Sequence, residues 1–225
     1  MDAETCYMCD SVATTREHAP ARCMFPEAKD IDGRDLRRNL ISVPSCDAHN
    51  SAFSKDDEYF LAIVTSQLQG NDVSRRQFDT KVLRAVRRKP AIVDAEFRSA
   101  VSATVDGQDV MVLRADSSRV RRAMDKTTRA LVYHCSGEKL LSPLTIYLPG
   151  FREPDGQHRS SLQRIDAQVQ ELLVGCDVRG ENPEVFAFQL HLNRDRDVSI
   201  LRMSLFEAFP VIAAWGAGWK ANGTG

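Results

Sequence analysis

Four metal-binding side chains stand at two matching spacings in this 225-residue chain: Cys6 and Cys9, then Cys46 and His49, each pair separated by two residues. Two such pairs of sulfur and imidazole donors make the four-ligand set that holds zinc tetrahedrally. Between the pairs lies Glu17-His18, a carboxylate directly beside an imidazole. Carboxylate oxygens suit a hard divalent cation, and a neutral imidazole takes a proton near pH 7. The expectation is two ions with separate duties, a zinc that holds shape and a second ion that serves hydrolytic chemistry. Cys-x-x-Cys is also a redox motif, but in that role it sits in a β-α-β setting. Here its flanks are polar loops, which favours metal.

Composition narrows the setting. With 43% hydrophobic and 27% charged residues the chain reads as an ordinary globular protein. The formal net charge is -1, so any basic surface for nucleic acid must be local. The start, Met1-Asp2-Ala3-Glu4-Thr5, is unlike a signal peptide, and no apolar run has the length of a membrane helix. A cytoplasmic location is expected, with thiols kept reduced and free for metal. The first fifty residues are too polar and short to fold on a core of their own, so a zinc staple answers a need.

The elements that would carry these residues follow from periodicity. Two short strands are expected around 12–16 and 39–43, joined by a long loop holding Pro20, Pro26 and Gly33, with Pro44 ending the second. A helix begins near Cys46, which places Cys46 and His49 on one face and Asn50 about a quarter-turn away. A second helix runs from a capping-like Ser54 to Gly70, with Phe60, Ile63, Val64 and Leu68 inward. A third covers 74–89, with Phe78, Val82 and Val86 inward and Pro90 as its stop. Its other faces carry Arg75, Arg76, Lys81, Arg84, Arg87, Arg88 and Lys89.

The stretch 92–115 reads ambiguously, with a turn at Asp106-Gly107 and a strand at 110–113. A helix near 118–133 turns Val120, Met124, Thr128 and Leu131 inward and sets Arg119, Arg121, Arg122, Lys126 and Arg129 around them. The remainder looks β-rich: a strand at 144–148, then 186–192 paired with 200–206 across an Asn193–Asp197 turn, and a loose last eight residues. The fold class is α+β. It divides into a zinc-bound ββα-metal unit at 1–60, a helical region with basic faces at 61–135, and an α+β region of unassigned role at 136–225.

Taken in order, Cys6 and Cys9, Glu17-His18, Asn39-Leu40, Cys46 and His49, and then Asn50 resemble the zinc-containing members of the HNH endonuclease family, in a His-Asn-Asn variant. The resemblance covers about residues 1–60. It implies a ββα unit that hydrolyses phosphodiester bonds of nucleic acid, with DNA favoured over RNA. By that resemblance His18 is the general base, and Asn39 bonds the loop that orients it. Glu17 and Asn50 would hold a catalytic Mg²⁺ or Mn²⁺, while zinc on Cys6, Cys9, Cys46 and His49 keeps the unit together. The basic residues Arg75, Arg76, Lys81, Arg84, Arg87 and Arg88 would meet phosphates. A homodimer is compatible with such an activity.

Each signal has a plainer alternative. The quartet also fits a non-catalytic zinc ribbon that binds nucleic acid or protein, and a basic helix is commonly just a solvated face. Cys23 reads either as an alternate zinc ligand or as a lone thiol beside Phe25. Cys135 and Cys176 read as core fillers, His134, His158 and His191 as structural or solvent-facing, and Trp215 and Trp219 as anchors of the C-terminal segment.

Overall fold

The structure, a computed structural model, describes residues 3–89, 96, 98–105, 107–151, 157–193 and 197–219. Pro90, Asp106, residues 194–196 of the expected turn and the tail beyond Trp219 lie outside the described residues. The fold class is α+β as expected, with helices around three small sheets among the described residues.

The N-terminal hairpin pairs β1 (Thr15–His18) with β2 (Ser42–Ser45), antiparallel, placing Glu17 opposite Val43 and His18 opposite Ser42. Both strands lie two to three residues later than periodicity suggested. Pro44, expected to end the second strand, lies inside it. Its carbonyl points away from β1 and accepts the Tyr7 N–H at 2.9 Å. The proline nitrogen therefore faces the same outer edge, where a missing N–H removes no bond to β1.

Helix α1 (Asp47–Ser51) follows at once, with Cys46 as its N-cap residue, and α2 (Ser54–Thr65) begins after a short turn. Ser54 is not a cap, since its hydroxyl donates backward to the Ser51 carbonyl at 3.2 Å. Helix α2 ends at Thr65, before Leu68, which is exposed rather than inward. The basic helix is split into α3 (Asp72–Gln77) and α4 (Leu83–Arg88) by a wide π turn at Phe78–Val82. A hairpin of β3 (Val101–Val105) and β4 (Gln108–Val112) then turns at Gly107, whose φ of 79° suits glycine.

Helix α5 (Ser117–Ser136) is the central element. Asp116 caps its start by accepting from the Ser118 and Arg119 N–H groups, and Gly137, at φ 74°, closes its end. Val120, Met124, Thr128 and Leu131 are all buried, as their spacing required. Beyond it, β5 (Thr145–Tyr147), β6 (Phe186–His191), β7 (Ser199–Leu205) and β8 (Phe209–Trp215) form an antiparallel sheet in the order β5-β8-β7-β6. Helix α6 (Gln157–Leu172), absent from the elements expected from periodicity, brings buried Val169 against Ile200 and Ile212. His158 lies in that helix. Trp219 does anchor its segment, donating from Nε1 to the Tyr147 hydroxyl at 3.1 Å.

One continuous apolar core runs from Cys6, Tyr7 and Val43 through Phe60 and Met124 to Phe209 and Trp215. Phe209 is its hinge point, edge-to-face with Phe60 of α2 at 5.7 Å and with Phe151 at 5.6 Å. Phe209→Ala should destabilise the protein by about 3–5 kcal/mol in denaturant unfolding. Because the core is continuous, loss of the hairpin and loss of the sheet should coincide in one transition. Two separated transitions would contradict that linkage.

Candidate metal centre

Cys6, Cys9, Cys46 and His49 come together with their ligand atoms all within 4.8 Å of one another. The Cys6 sulfur lies 3.4 Å and the Cys46 sulfur 3.3 Å from His49 Nδ1, and the Cys9 and Cys46 sulfurs are 3.9 Å apart. A tetrahedral zinc with its usual bond lengths has sulfur–sulfur edges of about 3.8 Å and sulfur–nitrogen edges of about 3.5 Å. The set therefore fits zinc in both donor type and size, and among the described residues no other cluster of three or more His, Cys, Asp or Glu donors does so.

The local chain explains the fit. The Cys6-to-Cys9 turn is closed by the Cys6 N–H to the Ser11 carbonyl at 2.9 Å, and the Met8 N–H points at the Cys6 sulfur at 3.5 Å. Hydrogen bonds from Ser11 hold the Cys9 thiol down to about 6, so it favours the thiolate that a metal binds. On the other side, Cys46 caps α1 and His49 follows one turn on. The Lys139 ammonium secures the first knuckle through the Cys9 carbonyl at 2.7 Å and Asp10 at 2.9 Å. Cys23 stays outside this set, and burial pushes its thiol up to about 12.

Glu17 and His18 take opposite faces of β1. Glu17 is buried and turns inward on the same face as Thr15. Asn50 reaches that face too, donating from Nδ2 to the Thr15 hydroxyl at 3.0 Å. His18 is half-buried on the other face, opposite Ser42, which Arg16 also grips at 3.1 Å. Burial holds the His18 imidazole below its ordinary range, with the Ile41 carbonyl pulling the other way, so it is neutral at pH 7. The segment after His18 is tied by the Ala19 N–H to the Ile41 carbonyl at 3.0 Å. Asn39 is exposed at a left-handed turn, φ 48°, and lines a cavity of about 640 Å³ with His134, Cys135 and Arg179. The structure thus sets Asn50 against Thr15 on the Glu17 face of β1, with His18 on the other face and Asn39 at a separate turn.

The inward face of Glu17 is already taken. Lys126, expected among the solvated basic residues of its helix, is 1% exposed. Its ammonium lies 2.6 Å from Asp57 Oδ2 and 3.3 Å from Glu17 Oε1. Burial raises both carboxyl groups above the ordinary range, against the pull of Lys126. Glu17 Oε2 and the Tyr7 hydroxyl are buried with no hydrogen-bond partner. A Mg²⁺ ion bonds carboxylate oxygens at about 2.0–2.1 Å, so it does not fit against Glu17 while the ammonium stays there. Neither Lys126 nor Asp57 belongs to a metal-binding or catalytic motif. The only hint in the sequence was that residue 126 lies one turn from Ala123 and Ala130, on a small-residue side of the helix.

The basic helices are largely engaged within the protein. Arg75 pairs with Asp72 at 2.7 Å, Arg84 with Asp30 at 3.2 Å, and Arg76 with Asp32. Lys81 turns inward and donates to the Cys23 carbonyl at 2.8 Å, and burial lowers its pKa. Arg84, Arg87 and Arg88 line a shallow hollow with Asp79 and Thr80. Cys135 and Cys176 are only partly buried, and Arg179 approaches Cys135.

No family model, curated protein or solved structure matches the chain. Among the described residues no helix is long and apolar enough to cross a membrane.

Elemental analysis should find one zinc per chain. Cys46→Ala or a strong chelator should remove it and lower the helical circular dichroism, whereas His18→Ala should keep both zinc and spectrum. Equal loss of structure in the two variants would contradict the separation of frame from reactive face. Lys126→Met should destabilise by about 3–5 kcal/mol in denaturant unfolding, because it leaves two buried carboxylates uncompensated.

Proposed function

We propose that the chain is a zinc-stapled ββα protein of the HNH kind that hydrolyses nucleic-acid phosphodiester bonds, with DNA favoured over RNA. The observation that carries this reading is the arrangement built around the Cys₃His set. The strand bearing Glu17-His18 is clamped antiparallel to β2, and α1 brings Asn50 onto the Glu17 face. The order of these motifs along the chain is the second support.

Zinc on the quartet supplies rigidity rather than chemistry, since four protein ligands leave it no open position. Reactivity then falls to His18. Its neutral ring nitrogen accepts the proton of an attacking water, a role that positioned imidazoles fill with rate gains of about 10²–10⁴. Phosphate contacts would come from exposed cations such as Arg87 and Arg88, which stand near the end of α4.

A second reading has its own support. Because Lys126 closes the inward face of Glu17 and His18 lies on the opposite face, the same frame suits a non-catalytic module that binds nucleic acid or protein.

The test is zinc-loaded protein incubated with supercoiled plasmid, single-stranded DNA and RNA over Mg²⁺ and Mn²⁺ concentration series. Cleavage should occur, and His18→Ala should lower it by about 100-fold or more with an unchanged circular dichroism spectrum. Nucleic-acid binding without cleavage at any ion, with wild type and His18→Ala alike, would overturn the nuclease reading in favour of the module.

A further inference from the structure

The residues around Glu17 disagree with the divalent ion that an HNH resemblance implies, and the disagreement is informative. We propose that Lys126 is the resident cation of the Glu17 face, and that a divalent ion binds there, between Glu17 and Asp57, only once the ammonium has withdrawn. The inference rests on the HNH reading of Glu17, but its test measures metal binding and not cleavage, so the two can fail separately.

Three observations converge. First, carboxylates from two different elements, Glu17 on β1 and Asp57 on α2, meet at a single ammonium from a third, α5. Their side chains are 6% and 10% exposed and that of Lys126 is 1% exposed, so the contact lies away from bulk solvent. Second, one ammonium faces two carboxyl groups. With both ionised they would leave a net charge of -1 in a buried space, which a divalent ion would neutralise. Burial raises both carboxyl groups against the pull of Lys126, so a greater positive charge between them would favour their ionised forms. Third, the oxygen donors exceed what the lysine uses. Glu17 Oε2 is buried and unpartnered, and so is the Tyr7 hydroxyl. A group of carboxylate and neutral oxygens is the environment a hard divalent cation takes.

The competition is electrostatic. An ammonium and a divalent ion cannot both sit against Glu17, because like charges at contact distance in a buried site repel strongly. Lys126 therefore holds the site closed to Mg²⁺ or Mn²⁺, and Asp57 becomes the second carboxylate of the site when it opens.

The experiment is Mn²⁺ titration of zinc-loaded protein, followed by the electron paramagnetic resonance signal of free Mn²⁺. Lys126→Met removes the ammonium and keeps an apolar stem. It should bind one more equivalent of Mn²⁺ than wild type at low concentration, tighter by about ten-fold or more. Adding Glu17→Gln or Asp57→Asn to that variant should abolish the gain. A folded Lys126→Met protein that gains no Mn²⁺ would overturn the proposal. If Lys126→Met does not fold, the comparison of wild type with Glu17→Gln decides. Superimposable Mn²⁺ titrations support a closed site, and weaker binding in Glu17→Gln shows that wild-type Glu17 already takes the ion and sinks the proposal.

Discussion

The chain between Cys6 and His49 folds under one constraint, that donors from two short and distant segments must sit a few ångströms apart. Cys9 and Cys46, 37 residues apart in sequence, bring their sulfurs to 3.9 Å. Without that closure the hairpin has little to hold it. Its ladder is four residues long on each side, and isolated two-stranded hairpins are marginal in water. A metal that binds only the assembled set stabilises the folded unit directly. The closure also fixes how β1 lies, and alternation along β1 then decides everything about its chemistry. Thr15 and Glu17 must face inward toward α1 and α5, and Arg16 and His18 must face out.

Helix α5 is what the clamped hairpin packs against, and it joins the three parts of the molecule. It touches β1 and β2, lies along α2, and reaches β5 and β8 of the sheet. Most of that contact is apolar, through Val120, Met124 and Leu131. At one place it is ionic, and there Lys126 meets Glu17 and Asp57. The salt bridge is poor as a source of stability, since removing three ionisable groups from water offsets much of their attraction. It is strong as a source of specificity. Sliding α5 by one residue would bury the ammonium against carbon and leave both carboxylates alone. Asp56 reinforces the same register from the exposed side, holding Arg119 at 2.9 Å and Arg122 at 2.7 Å.

The features legible in the sequence share a property: they depend on neighbours along the chain. The zinc quartet is visible because each ligand pair lies within one local turn. Helix α5 is visible because Val120, Met124 and Leu131 repeat at helical spacing, and the pairing of β6 with β7 because Phe186, Phe188 and Leu190 alternate. The misplacements also have local causes. A proline usually ends a strand, and only the outward direction of the Pro44 carbonyl shows why it is tolerated here. Leu68 continues the inward spacing of its helix, although α2 ends three residues earlier at Thr65. Lys126 was out of reach for a different reason. A lysine on a helix is ordinarily solvated, and its burial follows from two acids that lie 69 and 109 residues away in sequence. The basic stripe of α3 and α4 lost much of its free charge in the same way, to Asp30, Asp32 and Asp72.

The frame and the occupant of the Glu17 face are therefore linked through a single helix. Asp116 at its start and Gly137 at its end fix the length of α5, and residue 126 falls midway between them. The whole helix cannot turn to withdraw Lys126 without also exposing Ala123 and Ala130, which flank it by one turn on either side and are fully buried. Release of the ammonium must come from the side chain alone, by rotation of its flexible stem, or from movement of the zinc hairpin away from α5. The first keeps the core intact and needs only a competing cation of higher charge. The second separates Tyr7 and Val43 from the shared core, which is far more costly because those side chains are buried in it. Zinc on the Cys₃His set would bias the choice toward the first route, since it would hold Glu17 in place while the lysine moves.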